Sequence, residues 1–309
     1  MAVAARIDPK AYFAPEEWAP LARRSSWKGL ALLAHAWIVI GLAMAMAVIW
    51  PITIPLAIAI IGARQLGIAI IMHDAAHGAL HPDMKVNDWV GNHLTTGGLQ
   101  GYRTYHLGHH KYAQQAEDPD LVLSAPFPIS RLSLRRKIAR DLTGRTYYKL
   151  RWSGLVTRIA NRRPDEPLLP ILAEAISSRQ RFFIGMVVTV AVTAPFGLWW
   201  LWPVLWLAPQ ATWLPMVTRL RNIAEHACVA KDEPDPLRHA RTTRANWLER
   251  AFIAPYYVNY HCEHHMFMHV PCYSLPRVHR LLKQKGVMDG MLTAPGYIDV
   301  LRQVSAKAA

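Results

Sequence analysis

Two stretches of this chain, residues 29 to 63 and 182 to 218, contain no Asp, Glu, Lys or Arg. A single helix over either would run to roughly 50 Å at ~1.5 Å per residue, beyond the ~30 Å hydrocarbon core of a bilayer, so each is expected to fold back on itself. Pro51 and Pro55 stand where the first would turn. Trp199, Trp200, Trp202 and Pro203 mark the second turn, since tryptophan favours the membrane interface. The pattern predicts an all-α membrane protein with four transmembrane helices, near residues 29 to 50, 52 to 72, 182 to 200 and 203 to 220, arranged as two hairpins.

Charge sets the expected orientation. Of the 35 Lys and Arg residues, five precede the first hairpin, sixteen lie between Met72 and Phe182, thirteen follow Thr218, and Arg64 alone sits inside a span. Under the positive-inside rule the N-terminus, the central loop and the C-terminal part all face the cytoplasm. The net charge of +14 then follows from topology, and because the basic residues are dispersed, no nucleic-acid partner is expected.

The remaining segments divide around this frame. Residues 1 to 28 are polar and read as a cytoplasmic N-terminal segment rather than a secretory signal. Residues 29 to 285 read as one integral membrane domain, and 286 to 309 as a cytoplasmic tail. Residues 86 to 101, with Gly91, Gly97, Gly98 and Gly101, suit an interfacial or re-entrant segment better than a crossing. Residues 130 to 163 are basic and helix-permissive, and 164 to 170 form a breaker-rich link. Cys228, Cys262 and Cys272 have no metal-type spacing and would stay reduced on a cytoplasmic face. The Ala/Arg-rich composition and the lack of an organelle-targeting segment point to a bacterial inner membrane.

Three histidine clusters carry the chemistry: His73 and His77, then His106, His109 and His110, then His261, His264 and His265. Spacings of i, i+3 and i+4 place the imidazoles of each cluster on one helix face, so each cluster can offer two or three nitrogens to a common centre. Eight imidazoles are twice what a tetrahedral zinc site accepts. Two ions of higher coordination number are implied, with iron the leading candidate for nitrogen ligation. All three clusters fall on the predicted cytoplasmic side, where a helical cap would carry a non-heme di-iron site.

Asn222 and His226 lie one helical turn apart where the fourth span emerges, at the depth of the clusters. His226 is a candidate ninth ligand and Asn222 a ligand or water holder. Asp74, Asp118, Asp120, Glu225 and Glu263 could accept the outer N–H of ligating histidines and fix their tautomer, or could simply cap helices. His35, inside the first span, is expected to bond a neighbouring helix, and His81, His93, His239, His269 and His279 to lie outside the ligand set. The run Met266, Phe267, Met268 reads as packing beneath the third cluster, and Tyr256 to Tyr260 as a segment that docks it.

These boxes, His73-Asp-Ala-Ala-His77, His106-Leu-Gly-His109-His110 and His261-Cys-Glu-His264-His265, resemble those of the membrane fatty acid desaturase and hydroxylase superfamily, over roughly residues 29 to 285. Asn222-Ile-Ala-Glu-His226 looks like the Asn-x-x-x-His element of its acyl-CoA desaturase branch. The resemblance implies nine ligands, His73, His77, His106, His109, His110, His226, His261, His264 and His265, holding two iron ions with dioxygen as co-substrate. It also implies a lipid or acyl substrate and, since no His-Pro-Gly-Gly motif is present, a separate electron donor of ferredoxin, rubredoxin or cytochrome b5 type. The first box, with three residues between its histidines, and the Glu117-Asp-Pro-Asp120 run are also similar to acyl-lipid desaturases and to carotenoid hydroxylases and ketolases. The expected activity is therefore desaturation of an acyl chain. The alternative is hydroxylation or ketolation of a lipid, alkane or carotenoid. A metal transporter fits less well, because its ligands would lie along an intramembrane path.

Overall fold

A computed structural model describes residues 7–124, 126–163 and 166–306; Pro164 and Asp165, at the start of the expected link, lie outside the described residues. The described residues are mostly helical, with one two-residue parallel pair among them, β1 (Thr242–Thr243) and β2 (Thr293–Ala294). Contacts divide it into two compact units. One comprises Met1–Val39, Ala63–Arg135 and Val217–Ala309, and the other Ile40–Gly62 and Arg136–Met216.

The first unit opens with α1 (Pro15–Ala22) and holds the beginning of α2 (Lys28–Ile49) and the end of α3 (Ile54–Ala76). The uncharged, Ala- and Ile-rich run makes α2 and the first part of α3 as expected, and α2 and the stretch Pro51–Ala76 are long and apolar enough to cross a membrane. Residues 86 to 101 form no helix long enough to cross a membrane. They form α4 (Met84–His93), a turn with Gly98 in the left-handed region at φ 73°, and the start of α5 (Leu99–Lys111).

Packing in this unit accounts for His35 and Arg64, the two basic side chains inside the first hairpin. A Cβ on Gly67 would stand 2.6 Å from Tyr256 Cε2, so only glycine lets that ring lie against α3. Tyr256, held at φ 52°, shares a 2.9 Å hydrogen bond with His35 Nδ1. Arg64 places its guanidinium 5.5 Å from the centre of the same ring and donates to the Ala251 carbonyl at 2.5 Å. Beneath the third cluster, Phe267 packs against Phe13 and Trp18, with ring centres 5.6 and 5.1 Å apart.

The second unit holds the hairpin turn, where Pro51 starts a short 3-10 helix and Thr53 Oγ1 bonds the Trp50 carbonyl at 2.7 Å. The basic stretch forms three helices, Arg131–Leu142, Arg145–Arg151 and Ser153–Ala160, the first of which begins in the other unit. The second hairpin departs from the straight spans the sequence predicts. Leu168–Ser178 and Gln180–Phe196 meet at a 75° bend, and only taken together as one broken span are they long and apolar enough to cross a membrane. Beyond Gly197 the chain runs through a π turn at Trp202–Leu207, Ala208–Ala211 and then Trp213–His226. Pro203, Pro209 and Pro215 each lack a backbone N–H, so the hydrogen-bond ladder of one continuous helix cannot form here.

Candidate metal centre

All nine candidate histidines belong to the first unit. His73 rides the last turns of α3 with His77 just beyond, and His106, His109 and His110 lie on α5. His226 ends the helix Trp213–His226, and His261, His264 and His265 occupy the short helix His261–Met266. Two arginines fix these ends. Arg103 donates to the carbonyls of Ala75 and Ala76 at 3.1 and 2.9 Å and pairs with Asp88, tying α5 to the C-terminus of α3. Arg241 does the same for Ala224 and Ala227 at 3.2 and 2.9 Å, satisfying carbonyls that a helix end leaves open.

The imidazoles converge into two groups whose ligand atoms lie within 4.8 Å of one another: His73, His77, His106, His110 and His264 in one, and His109, His226, His261 and His265 in the other. His73 and His77 thus go together to one centre, whereas the second and third clusters are divided between the two. In both His-x-x-His-His boxes the residues at i and i+4 go to one group and the residue at i+3 to the other. Positions i and i+4 sit about 40° apart around a helix, while i+3 lies about 60° to the opposite side.

Geometry within the groups is that of shared ligation. Nε2 atoms face one another at 3.0 Å for His77 and His106, 3.1 Å for His106 and His110, and 3.0 Å for His110 and His264. In the second group His226 and His261 approach to 2.9 Å and His109 and His265 to 3.3 Å. Two nitrogens bound at right angles to one ion at about 2.1 Å stand about 3.0 Å apart. Both ring nitrogens of His73 and Nδ1 of His77 are buried without a hydrogen-bond partner. Burial pushes His77, His106, His110, His226, His261, His264 and His265 well below the ordinary imidazole range, so they are neutral at neutral pH, the form that binds metal. The residues thus fit two nitrogen-ligated ions.

The five candidate carboxylates fall in different places. Asp118 accepts from His109 Nδ1 at 2.8 Å, while Asp120 lies 3.8 Å from the same nitrogen and takes the Tyr105 hydroxyl. Asp74 lies 3.5 Å from His73 Nδ1 and accepts from Cys272 N at 2.9 Å. Glu263 departs from the expected role, because Thr242 and His279 occupy its carboxylate and none of the nine histidines does. Glu225 lies 3.6 Å from His261 Nε2, and burial pushes its carboxyl up to about 8 against the opposing pull of Arg221. Asn222 is buried one turn before His226. Gln114, which the sequence did not single out, places its side-chain amide 3.3 Å from His226 Nδ1 from a left-handed backbone position at φ 62°.

The other histidines have partners elsewhere. His239 contacts the Glu233 carbonyl, His93 the Trp89 carbonyl and His81 the Asp83 amide, at 2.7, 2.8 and 3.0 Å. His269 contacts the His77 carbonyl at 3.3 Å.

The chain is also similar to known proteins. The fatty acid desaturase family pattern matches residues 47–294. A relative in Bradyrhizobium elkanii, dihydrorhizobitoxine desaturase, is 25% identical over 260 residues, covering 80% of this chain and 70% of the relative.

Proposed function

Because the chain belongs to the fatty acid desaturase family, we propose that it is a membrane di-iron oxygenase that uses dioxygen and two electrons to desaturate the acyl chain of a lipid or fatty acyl thioester. The observation that carries this reading is the convergence of Nε2 atoms at 2.9 to 3.3 Å in two buried groups. The relative named as a desaturase favours loss of hydrogen over insertion of oxygen.

In this reading His73, His77, His106, His110 and His264 hold one iron, and His109, His226, His261 and His265 the other. Iron held there supplies the activation of dioxygen that an unactivated C–H bond requires. The protein keeps the imidazoles neutral by burial, holds the His109 tautomer through Asp118, and excludes water from the site. Four crossings of a bacterial inner membrane leave both termini and the site at the cytoplasm, where a separate ferredoxin-, rubredoxin- or cytochrome b5-type protein delivers the electrons.

The test is mass spectrometry of total lipids from a host expressing the chain with an electron donor, against the same host expressing His264→Ala. Lipids short of two hydrogens support desaturation. A gain of one oxygen on a lipid, alkane or carotenoid moves the reaction to hydroxylation or ketolation. Protein purified with zinc and no iron, inactive after anaerobic iron loading, would sink the oxygenase reading.

A further inference from the structure

The two histidine groups are unequal: one has five imidazoles, the other four. Beside the smaller stands Glu225, 1% exposed, with neither carboxylate oxygen in a hydrogen bond. Arg221 Nε is 3.0 Å from Oε2, close enough for an ion pair but outside hydrogen-bond geometry. A carboxylate buried in this way is strongly disfavoured by desolvation unless a stronger cation compensates.

The side of the imidazole that Glu225 approaches decides between two roles. A carboxylate that orients a ligating histidine sits on the outer nitrogen. Asp118 does so on Nδ1 of His109, whose Nε2 faces His265 at 3.3 Å. Glu225 instead lies 3.6 Å from Nε2 of His261, the nitrogen that faces His226 Nε2 at 2.9 Å. It is on the metal side of the ring. A separation of this size suits two donors to one ion and is too long for an orienting hydrogen bond.

From this geometry we infer that Glu225 is itself a metal ligand, supplying a carboxylate oxygen to the ion held by His109, His226, His261 and His265. Each ion then has five protein donors, and only the second carries an anionic one. The two ions are chemically unlike, the carboxylate favouring the higher oxidation state of its iron. This assignment rests on the reading that the two groups hold iron.

The test compares the full-length protein with Glu225→Gln, Arg221→Gln and the double variant, all purified anaerobically with 57Fe, by metal content per chain and Mössbauer spectroscopy. The wild type is expected to hold two irons in two distinct quadrupole doublets, and Arg221→Gln to keep both. Glu225→Gln and the double variant are expected to lose one iron, or to keep it with an altered doublet, while the doublet of the five-histidine group persists as the control for folding. Two irons with unchanged doublets in Glu225→Gln would overturn the assignment. So would recovery of the second iron in the double variant, which would make Glu225 a counter-charge for Arg221. Loss of both irons from Glu225→Gln would also overturn it, by giving the residue to the fold and not to one ion. An iron-free wild type would remove the functional reading itself.

Discussion

Asp118 accepts the Nδ1 proton of His109 across 2.8 Å, with both side chains almost wholly buried. The bond leaves Nε2 of His109 without a proton and turned toward His265. Asp118 Oδ1 and Oδ2 also take the backbone amides of Asp120 and Gln114, at 2.8 and 2.9 Å, so the carboxylate has little freedom to move. In Asp118→Asn the amide can present an N–H to Nδ1 and drive the proton to Nε2, where metal must bind. Iron affinity of the four-histidine group should fall about 10- to 100-fold. Titration of iron against a chelator measures this, and an affinity equal to wild type would show that the hydrogen bond does not set the tautomer.

His109 and His110 are neighbours in sequence but belong to different groups. His109→Ala is therefore expected to deplete the four-histidine site and His110→Ala the five-histidine site, each leaving the other ion in place. Mössbauer spectra of the two variants should be complementary. Identical spectra would mean that the division between groups is wrong. Activity should be lost in both.

How much of this was visible beforehand varies with physical cause. The uncharged run from Gly29 fixed α2 and α3, because composition alone decides where a long apolar helix can lie. The second run was equally apolar, yet Pro203, Pro209 and Pro215 broke its helix, and apolarity says nothing about a missing hydrogen-bond donor. At the site, the histidine spacings were legible, and so was the place of His226. The split of the second and third boxes was not drawn, although the rotation of about 100° per residue contains it. Arg103, Arg241 and Gln114 had no signal, since they act on backbone carbonyls or across the fold rather than through a motif. Glu263 had the same sequence credentials as Asp118, and only tertiary packing gave it to Thr242 and His279.

Gly67 makes the contact with Tyr256 possible, and a methyl group there would sit 2.6 Å from the ring. Gly67→Ala should displace Tyr256, weaken its bond to His35 and cost about 1–3 kcal/mol of overpacking. The measurement is thermal unfolding in detergent, where the variant should melt below wild type. An unchanged melting temperature would mean that the ring has room to move without loss.

Acid should destabilise the metal-free protein in a defined window. An imidazole in the unfolded chain takes a proton near pH 6.5, whereas seven of the buried ones resist it to much lower pH. Below about pH 6.5 the unfolded state binds more protons, so stability is full above that value and falls as pH drops toward the folded-state values. Glu225 acts in the opposite sense, because its raised carboxyl favours the folded state at low pH and loses that advantage as pH rises toward about 8. One carboxyl against seven imidazoles leaves the histidines to set the slope between pH 6.5 and 5. With iron bound the fall should begin at lower pH, since protons must displace the metal before they reach the rings. Unfolding temperatures of apo and iron-loaded protein from pH 8 to 5 test this. Superimposable curves would show that the buried imidazoles are not the shared ligands of the two ions.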